Sequence, residues 1–384
     1  MEHNRVVELG SLIKPAKTIR CGDDYYPVLS MTMHDGLVFQ EEKFKKEVAS
    51  KNKADYKVVF KNQLVVGFPI DEGVLATQRI VDAGIVSPAY GIWDVDQSKI
   101  HPEFLEWALR SARALDYYRA KLRGSTARRR SLPTETFLKF TLPLPSISEQ
   151  MHILDIIHKL QVMLRSRQQQ LAKLDELVKA RFVEMFGDPV SNPYGFEKVP
   201  LSELAEIKIG PFGSLLHKED YIEGGHPLLN PSHIVDSNIV PDKKLTISDE
   251  KYNELEAYHL HFGDVVMGRR GEMGRCAVVM GEGFLCGTGS LLIRTRGEVT
   301  ADFIQKVISF PSFKKTIEDM AVGQTMPNLN VPIVSRFQVV KPPIDIQHRY
   351  YSFIGEVDNL KQSVQKNLDK LETLKKALMQ KYFG

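Results

Sequence analysis

The amino-acid sequence predicts an α+β protein in which two diverged α+β domains alternate with two long helices. Two observations support this prediction: one segment of the chain occurs twice, and each copy follows a region of short β-rich runs broken by Gly, Pro and Asn. The length of 384 residues allows more than one hydrophobic core. The hydrophobic content of 43% and the charged content of 26% are typical of an ordinary globular protein.

The repeated segment starts at Pro145 in its first copy and at Pro342 in its second, an offset of 197 residues that holds without a gap. Fourteen of its 43 positions are identical, among them Gln150 and Gln347, which end a Pro-x-x-x-x-Gln pattern. Identity at this level over an ungapped segment indicates an internal duplication.

Shorter matches precede each copy in the same order, with residues 62–65 corresponding to residues 263–266. A turn-rich linker at 191–195 separates the first repeat from the second. The sequence therefore predicts four parts, a first domain at 1–145, a first helical spacer at 146–187, a second domain at 188–341 and a second helical spacer at 342–384.

Both copies of the repeated segment predict long helices, because no proline interrupts either one after its opening residues. We expect a seam of apolar residues at heptad spacing along each helix. In the second copy the seam residues are Val357, Leu360, Val364, Leu371, Leu374 and Leu378; in the first they are Leu160, Met163, Leu164, Leu171, Leu174, Leu177 and Val178, interrupted by Arg167 and Arg181. Gln170 and Asn367 are expected to form one polar seam position, and the two helices are predicted to pair.

The sequence shows no convincing catalytic or cofactor-binding motif. The three cysteines lack the close pairing of zinc or redox sites, and the glycine-rich segments lack the spacing of phosphate-binding loops. No apolar run approaches the ~20 residues that cross a bilayer, and no signal peptide is recognisable. We therefore expect a cytoplasmic binding protein that is not an enzyme, has no cofactor or metal of its own, and has no membrane partner.

Local clusters of positive charge are the main functional signal, because the net charge of +3 is too small to indicate a partner. Cationic loops on a β-rich scaffold suit phosphate contacts and bidentate arginine-to-guanine recognition, and amide side chains suit adenine. The basic candidates are Lys14, Lys17, Arg20, Arg128, Arg129, Arg130, Lys208, Lys218, Arg269, Arg270 and Arg275. The amide candidates are Asn230, Gln324, Asn328 and Asn330.

These features together resemble the DNA-specificity subunit of type I restriction-modification systems over essentially the full chain. The motifs that carry the resemblance are Ile-Gly-Pro-Phe-Gly-Ser at 209–214, Gly-Asp-Val-Val at 263–266, Asn-Leu-Asn at 328–330, both Pro-x-x-x-x-Gln openings, and Phe-Gly-Asp-Pro at 186–189. The first domain departs from the pattern because it lacks the Gly-Pro-Phe-Gly signature.

The resemblance implies two target-recognition domains held apart by an antiparallel pair of long helices. Each domain would read one half of a split double-stranded DNA target, while the helices set the spacer and dock two modification subunits. Those partners would bind S-adenosylmethionine and methylate a flipped adenine, and restriction subunits, where present, would add ATP-driven translocation and cleavage.

Two other classes of protein remain open at the level of sequence. One is a coiled-coil adaptor or scaffold that organises a complex without touching DNA. The other is a methyltransferase fused to a recognition domain, which would need a cofactor site that the sequence does not show.

Overall fold

The computed structural model describes residues 5–33, 35–43, 53–122, 132–321 and 328–384. The chain divides into two compact units, one made of Met1–Gln170 with Val364–Gly384 and the other of Leu171–Ser363. Each unit therefore combines an α+β region with the first half of one long helix and the second half of the other. The α+β class predicted from the sequence is confirmed, while the four-part division into domains and spacers stays a prediction.

Short strands built from apolar and β-branched residues dominate the first repeat, as the runs between turn residues predict. In chain order its elements are β1 (Arg5–Glu8), β2 (Ile13–Pro15), β3 (Leu29–Thr32), β4 (Gly36–Phe39), α1 (Gln40–Lys43), β5 (Lys57–Phe60), β6 (Leu64–Val66), β7 (Leu75–Thr77), β8 (Ala83–Val86), β9 (Gly91–Val95), α2 (Pro102–Leu109), α3 (Ala112–Lys121), α4 (Thr134–Leu138), β10 (Thr141–Leu144) and the long helix α5 (Ile147–Phe186).

The second repeat follows the same plan with additional short strands. Its elements are β11 (Glu197–Pro200), α6 (Leu201–Leu204), β12 (Ala205–Ile209), β13 (Tyr221–Ile222), β14 (His226–Leu229), β15 (Ile234–Val235), β16 (Asn238–Ile239), β17 (Thr246–Ile247), α7 (Asp249–Glu254), β18 (His259–Leu260), β19 (Val265–Gly268), β20 (Cys276–Val278), β21 (Phe284–Cys286), β22 (Ser290–Thr295), α8 (Ala301–Ser309), α9 (Pro311–Met320), α10 (Val331–Ser335), β23 (Gln338–Lys341) and the long helix α11 (Ile344–Phe383).

A four-stranded sheet of the same topology lies in each repeat, in the order β2-β9-β6-β7 in the first and β12-β22-β19-β20 in the second. The strand β9 runs antiparallel to both β2 and β6, and β22 runs antiparallel to both β12 and β19. The two strands that flank β9 or β22 are therefore parallel to each other, so they end at the same edge of the sheet.

Individual residues support the correspondence between the sheets. Asn62 and Gly263 both adopt a positive φ, 71° and 87°, just before β6 and β19, a conformation that favours Gly and Asn. The next residue then bonds to the central strand in both repeats. Gln63 Nε2 donates to Asp94 Oδ1 at 2.7 Å, whereas the buried Asp264 accepts two bonds from the Arg294 guanidinium at 2.8 and 2.7 Å.

The glutamines of the two Pro-x-x-x-x-Gln patterns attach the long helices to the domains. Both are fully buried. Gln150 accepts a hydrogen bond from the backbone of His101 at 2.8 Å and donates to the carbonyl of Pro145 at 2.9 Å. Gln347 makes the equivalent bonds with Thr300 and Pro342, each at 2.9 Å. The identity of these two residues therefore has a structural cause, because each satisfies backbone groups at the start of its helix.

The ends of the long helices complete the hydrophobic cores. Phe383, at the end of α11, belongs to the same buried cluster as Phe104 of α2 and Ile157 of α5, and its ring centroid lies 5.0 Å from that of Phe104. In the other unit Phe186, at the end of α5, packs 5.0 Å from Phe303 of α8. Each core thus needs the first turns of one long helix and the last turns of the other.

The long helices pair in antiparallel orientation, as the contacts within the second unit show. Asp175 binds Lys361 at 2.6 Å, and Arg181, further along α5, lies 5.8 Å from the ring centroid of Phe353, which comes earlier in α11. Residue numbers therefore rise along one helix while they fall along the other.

The seam predicted from the heptads is correct in part. Val357, Val364, Leu371 and Leu378 are buried or half-buried, as are Leu160, Leu164, Leu171, Leu174 and Val178. Four predicted seam residues are exposed, however: Met163, Leu177, Leu360 and Leu374. Half-buried Arg167, Arg181, Lys361 and Lys375 occupy seam positions instead, because their aliphatic stems can cover apolar surface while the charge stays hydrated. Gln170 and Asn367 are both exposed, so the predicted polar seam position is wrong.

Candidate nucleic-acid interface

One edge of the second four-stranded sheet gathers the glycine-rich loops and most of the predicted recognition residues. At this edge, which we call the loop edge, β12 and β19 end and β22 begins. The loops that leave β12 and β19 and the loop that enters β22 are therefore neighbours. They contain residues 210–214, 269–275 and 287–289.

The backbones of these loops lie in direct contact. A Cβ on Gly210 would lie 2.1 Å from the carbonyl oxygen of Gly287, a distance that no larger residue tolerates. The hydroxyl of Thr288 donates to the carbonyl of Pro211 at 2.8 Å, and the amide of Arg269 donates to the carbonyl of Gly289 at 3.0 Å. Gly210 thus lets the first loop pack directly on the loop at 287–289, and hydrogen bonds join that loop to both of its neighbours.

Arg269 and Arg270 form the cationic part of the loop edge, and the neutral Asn328 lies beside them. Arg269 Nε donates to Asn328 Oδ1 at 3.1 Å, and the amide of Leu329 donates to the carbonyl of Arg269 at 2.9 Å. Burial and the neighbouring charge of Arg270 lower the pKa of the Arg269 guanidinium, although such a group stays protonated. Arg270 is exposed and forms no ion pair with another residue in the described part of the chain.

Three other predicted residues of the second domain are engaged in contacts within the domain. Asn330 caps α10 by accepting a bond from the amide of Ile333 at 3.0 Å. Asn230 accepts from the amide of Gly289 at 3.2 Å, so it lies beside the loop edge with its oxygen occupied. Arg275 binds Glu272 at 2.7 Å.

The two remaining basic candidates of this domain differ in their surroundings. Lys208, on β12, donates to the carbonyl of Ala257 at 3.1 Å and lies 3.6 Å from Glu206. Lys218 is exposed on a short 3₁₀ turn and has no ion-pair partner among the described residues.

In the first domain Lys14 lies on β2, and Lys17 and Arg20 follow the end of this strand. All three are exposed, and Arg20 forms an ion pair with Asp55. The predictions for Arg128, Arg129, Arg130 and Gln324 lie outside the described residues.

Sequence reasoning did not single out two exposed aromatic residues at these edges. Phe212 is 60% exposed in the loop after β12, and Phe68 is 58% exposed in the loop after β6. The signal in the sequence was the same in both loops: shortly after a strand, a large apolar residue stands between a Gly and a Pro, in a turn that is not expected to reach the hydrophobic core.

The described residues contain no group of three or more His, Cys, Asp or Glu side chains that could hold a metal ion. Within the same part of the chain, every helix is too short or too polar to span a bilayer. Cys276 and Cys286 are fully buried, and burial raises the pKa of each thiol to about 12.

Two α+β repeats of common sheet topology and two long antiparallel helices define a class of internally duplicated α+β proteins with paired long helices. The sequence model of the type I restriction modification DNA specificity domain matches residues 193–373. This match covers a little under half of the chain, and it includes the loop edge and most of α11.

Two curated relatives come from Methanocaldococcus jannaschii. The type I restriction enzyme MjaVIII specificity subunit is 19% identical over 259 residues, which is 63% of this chain and 61% of the relative. The putative type I restriction enzyme MjaX specificity subunit is 25% identical over 196 residues, 47% of this chain and 44% of the relative. The matched regions thus span less than two thirds of each curated relative.

Solved structures are similar over nearly the whole chain. A chain from a study of complex assembly and conformational transition of the type I R-M system superposes with a TM-score of 0.66 at 18% identity, covering 99% of this chain and 97% of that one. The HsdS subunit from Thermoanaerobacter tengcongensis gives a TM-score of 0.56 at 17% identity, covering 100% and 98%. These similarities show that the fold is shared.

Proposed function

We propose that this chain is the non-catalytic subunit that determines the DNA target of a type I restriction-modification complex. Each domain reads one half of a bipartite double-stranded target, and the paired long helices set the spacer between the halves. The observation that supports this function best is the loop edge, where rigid glycine loops present arginines on a sheet that occurs twice in the chain.

The chemistry of the loop edge suits DNA. Arg270 offers an exposed guanidinium with five N–H donors, which can bind a phosphate or the O6 and N7 atoms of a guanine. Arg269 uses one donor on Asn328, so its side chain is oriented while its remaining donors stay available. In the first domain the exposed candidates among the described residues are Lys14, Lys17 and Arg20, of which Arg20 forms an ion pair with Asp55.

The repeated helices suit two copies of one partner. An internal duplication produces two copies of the same kind of surface, and two such surfaces fit two identical modification subunits. In this proposal those subunits bind S-adenosylmethionine and methylate DNA, restriction subunits contribute ATP hydrolysis and cleavage, and the present chain binds no cofactor.

A pair of arginine variants tests the proposal in the complex with the modification subunits. Arg270→Ala removes a charge beside the start of β22, whereas Arg296→Ala removes the same charge one residue past its end, roughly 20 Å away along the strand. If Arg270 contacts a phosphate, its variant should lower the slope of log affinity against log salt by about 0.9. If it reads a guanine, the variant should lose about 1–3 kcal/mol of discrimination at one base pair.

The control variant distinguishes the effect of losing one positive charge from the effect of losing a contact with DNA. Arg296→Ala has the same overall charge as Arg270→Ala but should leave both the salt slope and the base preference unchanged, because Arg296 lies at the opposite end of β22 from the loop edge. Equal behaviour of the two variants would contradict the assignment of the loop edge. A complex that binds no bipartite duplex under any salt condition would favour the adaptor function instead.

A further inference from the structure

Phe212 is an exposed aromatic residue on a loop whose backbone is fixed by hydrogen bonds. Its ring is 60% exposed, and the neighbouring Leu215 is 42% exposed, so two apolar side chains project from the loop edge into solvent. Isolated apolar surface residues are common, but these two lie on the loop after β12, one strand away from the loop after β19 that carries Arg269 and Arg270. A sheet edge that combines an aromatic ring with guanidinium groups has the composition of a surface that contacts bases and phosphates together.

The exposure of Phe212 follows from contacts that fix the backbone on either side of it. Gly210 donates to the carbonyl of Ser290 at 3.1 Å, and Pro211 accepts from the hydroxyl of Thr288 at 2.8 Å. Gly213 then turns the chain away with a φ of +64°. The ring is therefore held outward by a rigid loop, which reduces the entropy that is lost when it inserts into a partner.

The first domain presents the same pair of residue types on the equivalent loops, with their positions exchanged. In the first sheet Pro15 and Leu64 both lie opposite Trp93, and in the second Ile207 and Val265 both lie opposite Ile293. Strand pairing therefore aligns Pro15 with Ile207 and Leu64 with Val265. Counting onward along the chain, Arg20 then corresponds to Phe212, and Phe68 corresponds to Arg269.

At these two aligned positions each domain thus carries one aromatic residue and one arginine, on the loops that leave the two strands beside β9 or β22. Phe68 is 58% exposed, close to the value for Phe212. Two domains whose sequences have diverged both keep an exposed ring at this edge, although on different loops. A ring that served only local packing would not need exposure in both places.

We propose that Phe212 and Phe68 insert into base-pair steps of the two half-sites and stabilise unstacked DNA, each on its own half. This inference rests on the proposed function and adds a deformation of the target to the direct readout. Apolar side chains that enter a base step separate the bases and bend the duplex, and the energy of this deformation depends on the sequence being deformed. The rings would therefore contribute to specificity without hydrogen bonding to any base.

The second domain contains a matched control for this proposal. Phe262 is 64% exposed and precedes β19, so it lies at the opposite edge of the same sheet from Phe212. Phe212→Ala and Phe262→Ala remove the same ring from the same domain. Neither ring is buried, so thermal unfolding of both variants should match that of the original protein.

The experiment uses the complex with its modification subunits and duplexes selected by it from a random library. Phe212→Ala should weaken binding to the matched duplex by about 10- to 100-fold, the size of one stacking contact, without changing the salt slope. A duplex with a mismatch at the contacted step should recover most of this loss, because the step is already unstacked. Phe212→Trp should retain affinity, and 2-aminopurine placed at the step should brighten with the original protein but not with Phe212→Ala.

Phe68→Ala supplies the corresponding test of the other half-site. The affinity that this variant loses should be recovered only by a mismatch in the half-site that the first domain binds. If Phe212→Ala and Phe262→Ala bind alike, or if Phe212→Ala weakens matched and mismatched duplexes equally, the insertion is overturned while the proposed function stands. If the original complex selects no duplex, the proposed function itself fails, and the two failures are thereby distinguished.

Discussion

Replacing Phe383 with alanine should weaken the domain at the other end of the sequence. The Phe383 ring is 1% exposed and packs at 5.0 Å from Phe104 in a cluster that includes Ile153, Leu154 and Ile157. Phe383→Ala therefore leaves a cavity inside the first domain, not only at the end of α11.

The size of the effect follows from burial. A fully buried phenylalanine replaced by alanine typically costs about 3–5 kcal/mol of unfolding free energy. Each 1.4 kcal/mol changes an opening equilibrium about tenfold, so amide hydrogens protected by this core should exchange about 100- to 4,000-fold faster.

Amide hydrogen exchange resolved by peptide measures this change in each domain separately. Phe383→Ala should speed exchange in α2 and leave α8 unchanged, whereas Phe186→Ala should do the reverse. Leu374→Ala, on the exposed face of the same helix, should change stability by no more than about 0.5 kcal/mol. Faster exchange confined to α11, or equal in α2 and α8, would refute the assignment of Phe383 to the first core.

Three further outcomes are expected. Gln150→Met or Gln347→Met should lower the unfolding free energy by about 1–3 kcal/mol in urea titration, because backbone groups at the start of the helix lose their buried partner; a loss below 0.5 kcal/mol would contradict the role. The thiols of Cys276 and Cys286, whose pKa burial raises to about 12, should resist alkylation in the native protein. Near pH 9 these thiols ionise only in the unfolded chain, so the unfolding free energy should fall as the pH rises above that value. Denaturant titrations between pH 8 and 10 would test whether stability falls in this direction. Deleting residues 161–167 together with 358–364 removes one heptad from each helix, about 10 Å, and should shorten the DNA spacer by about 3 base pairs; an unchanged spacer in methylome sequencing would show that the helices do not set it.

The duplication, the two long helices and the strand-rich domains could be predicted from the sequence, because each depends on local patterns. The matched Gln150 and Gln347 are identical since both satisfy the same backbone groups. Asn62 and Gly263 align because few residues adopt a positive φ readily.

The seam and the recognition residues depended on packing that no local pattern specifies. Met163 and Leu360 satisfy an apolar heptad as well as their neighbours do, yet the antiparallel register turns them outward. Lysine and arginine can occupy seam positions because their side chains have long aliphatic stems. A pattern that divides residues into apolar and polar counts both residues as polar. Asn330 was predicted to read adenine; its side-chain oxygen accepts a hydrogen bond from the amide of Ile333 as a helix cap, and the reading of adenine stays a prediction.

The reciprocal cores have a consequence for synthesis on the ribosome. The domain that is translated first contains residues from the region 364–384, so it leaves the exit tunnel with an unfilled aromatic pocket around Phe104. The domain translated second can close as soon as α11 has begun, because its core already holds Phe186. We therefore expect the core of the second domain to be completed no later than that of the first, and we expect a nascent chain stalled before Phe383 to expose apolar surface around Phe104 to chaperones and proteases.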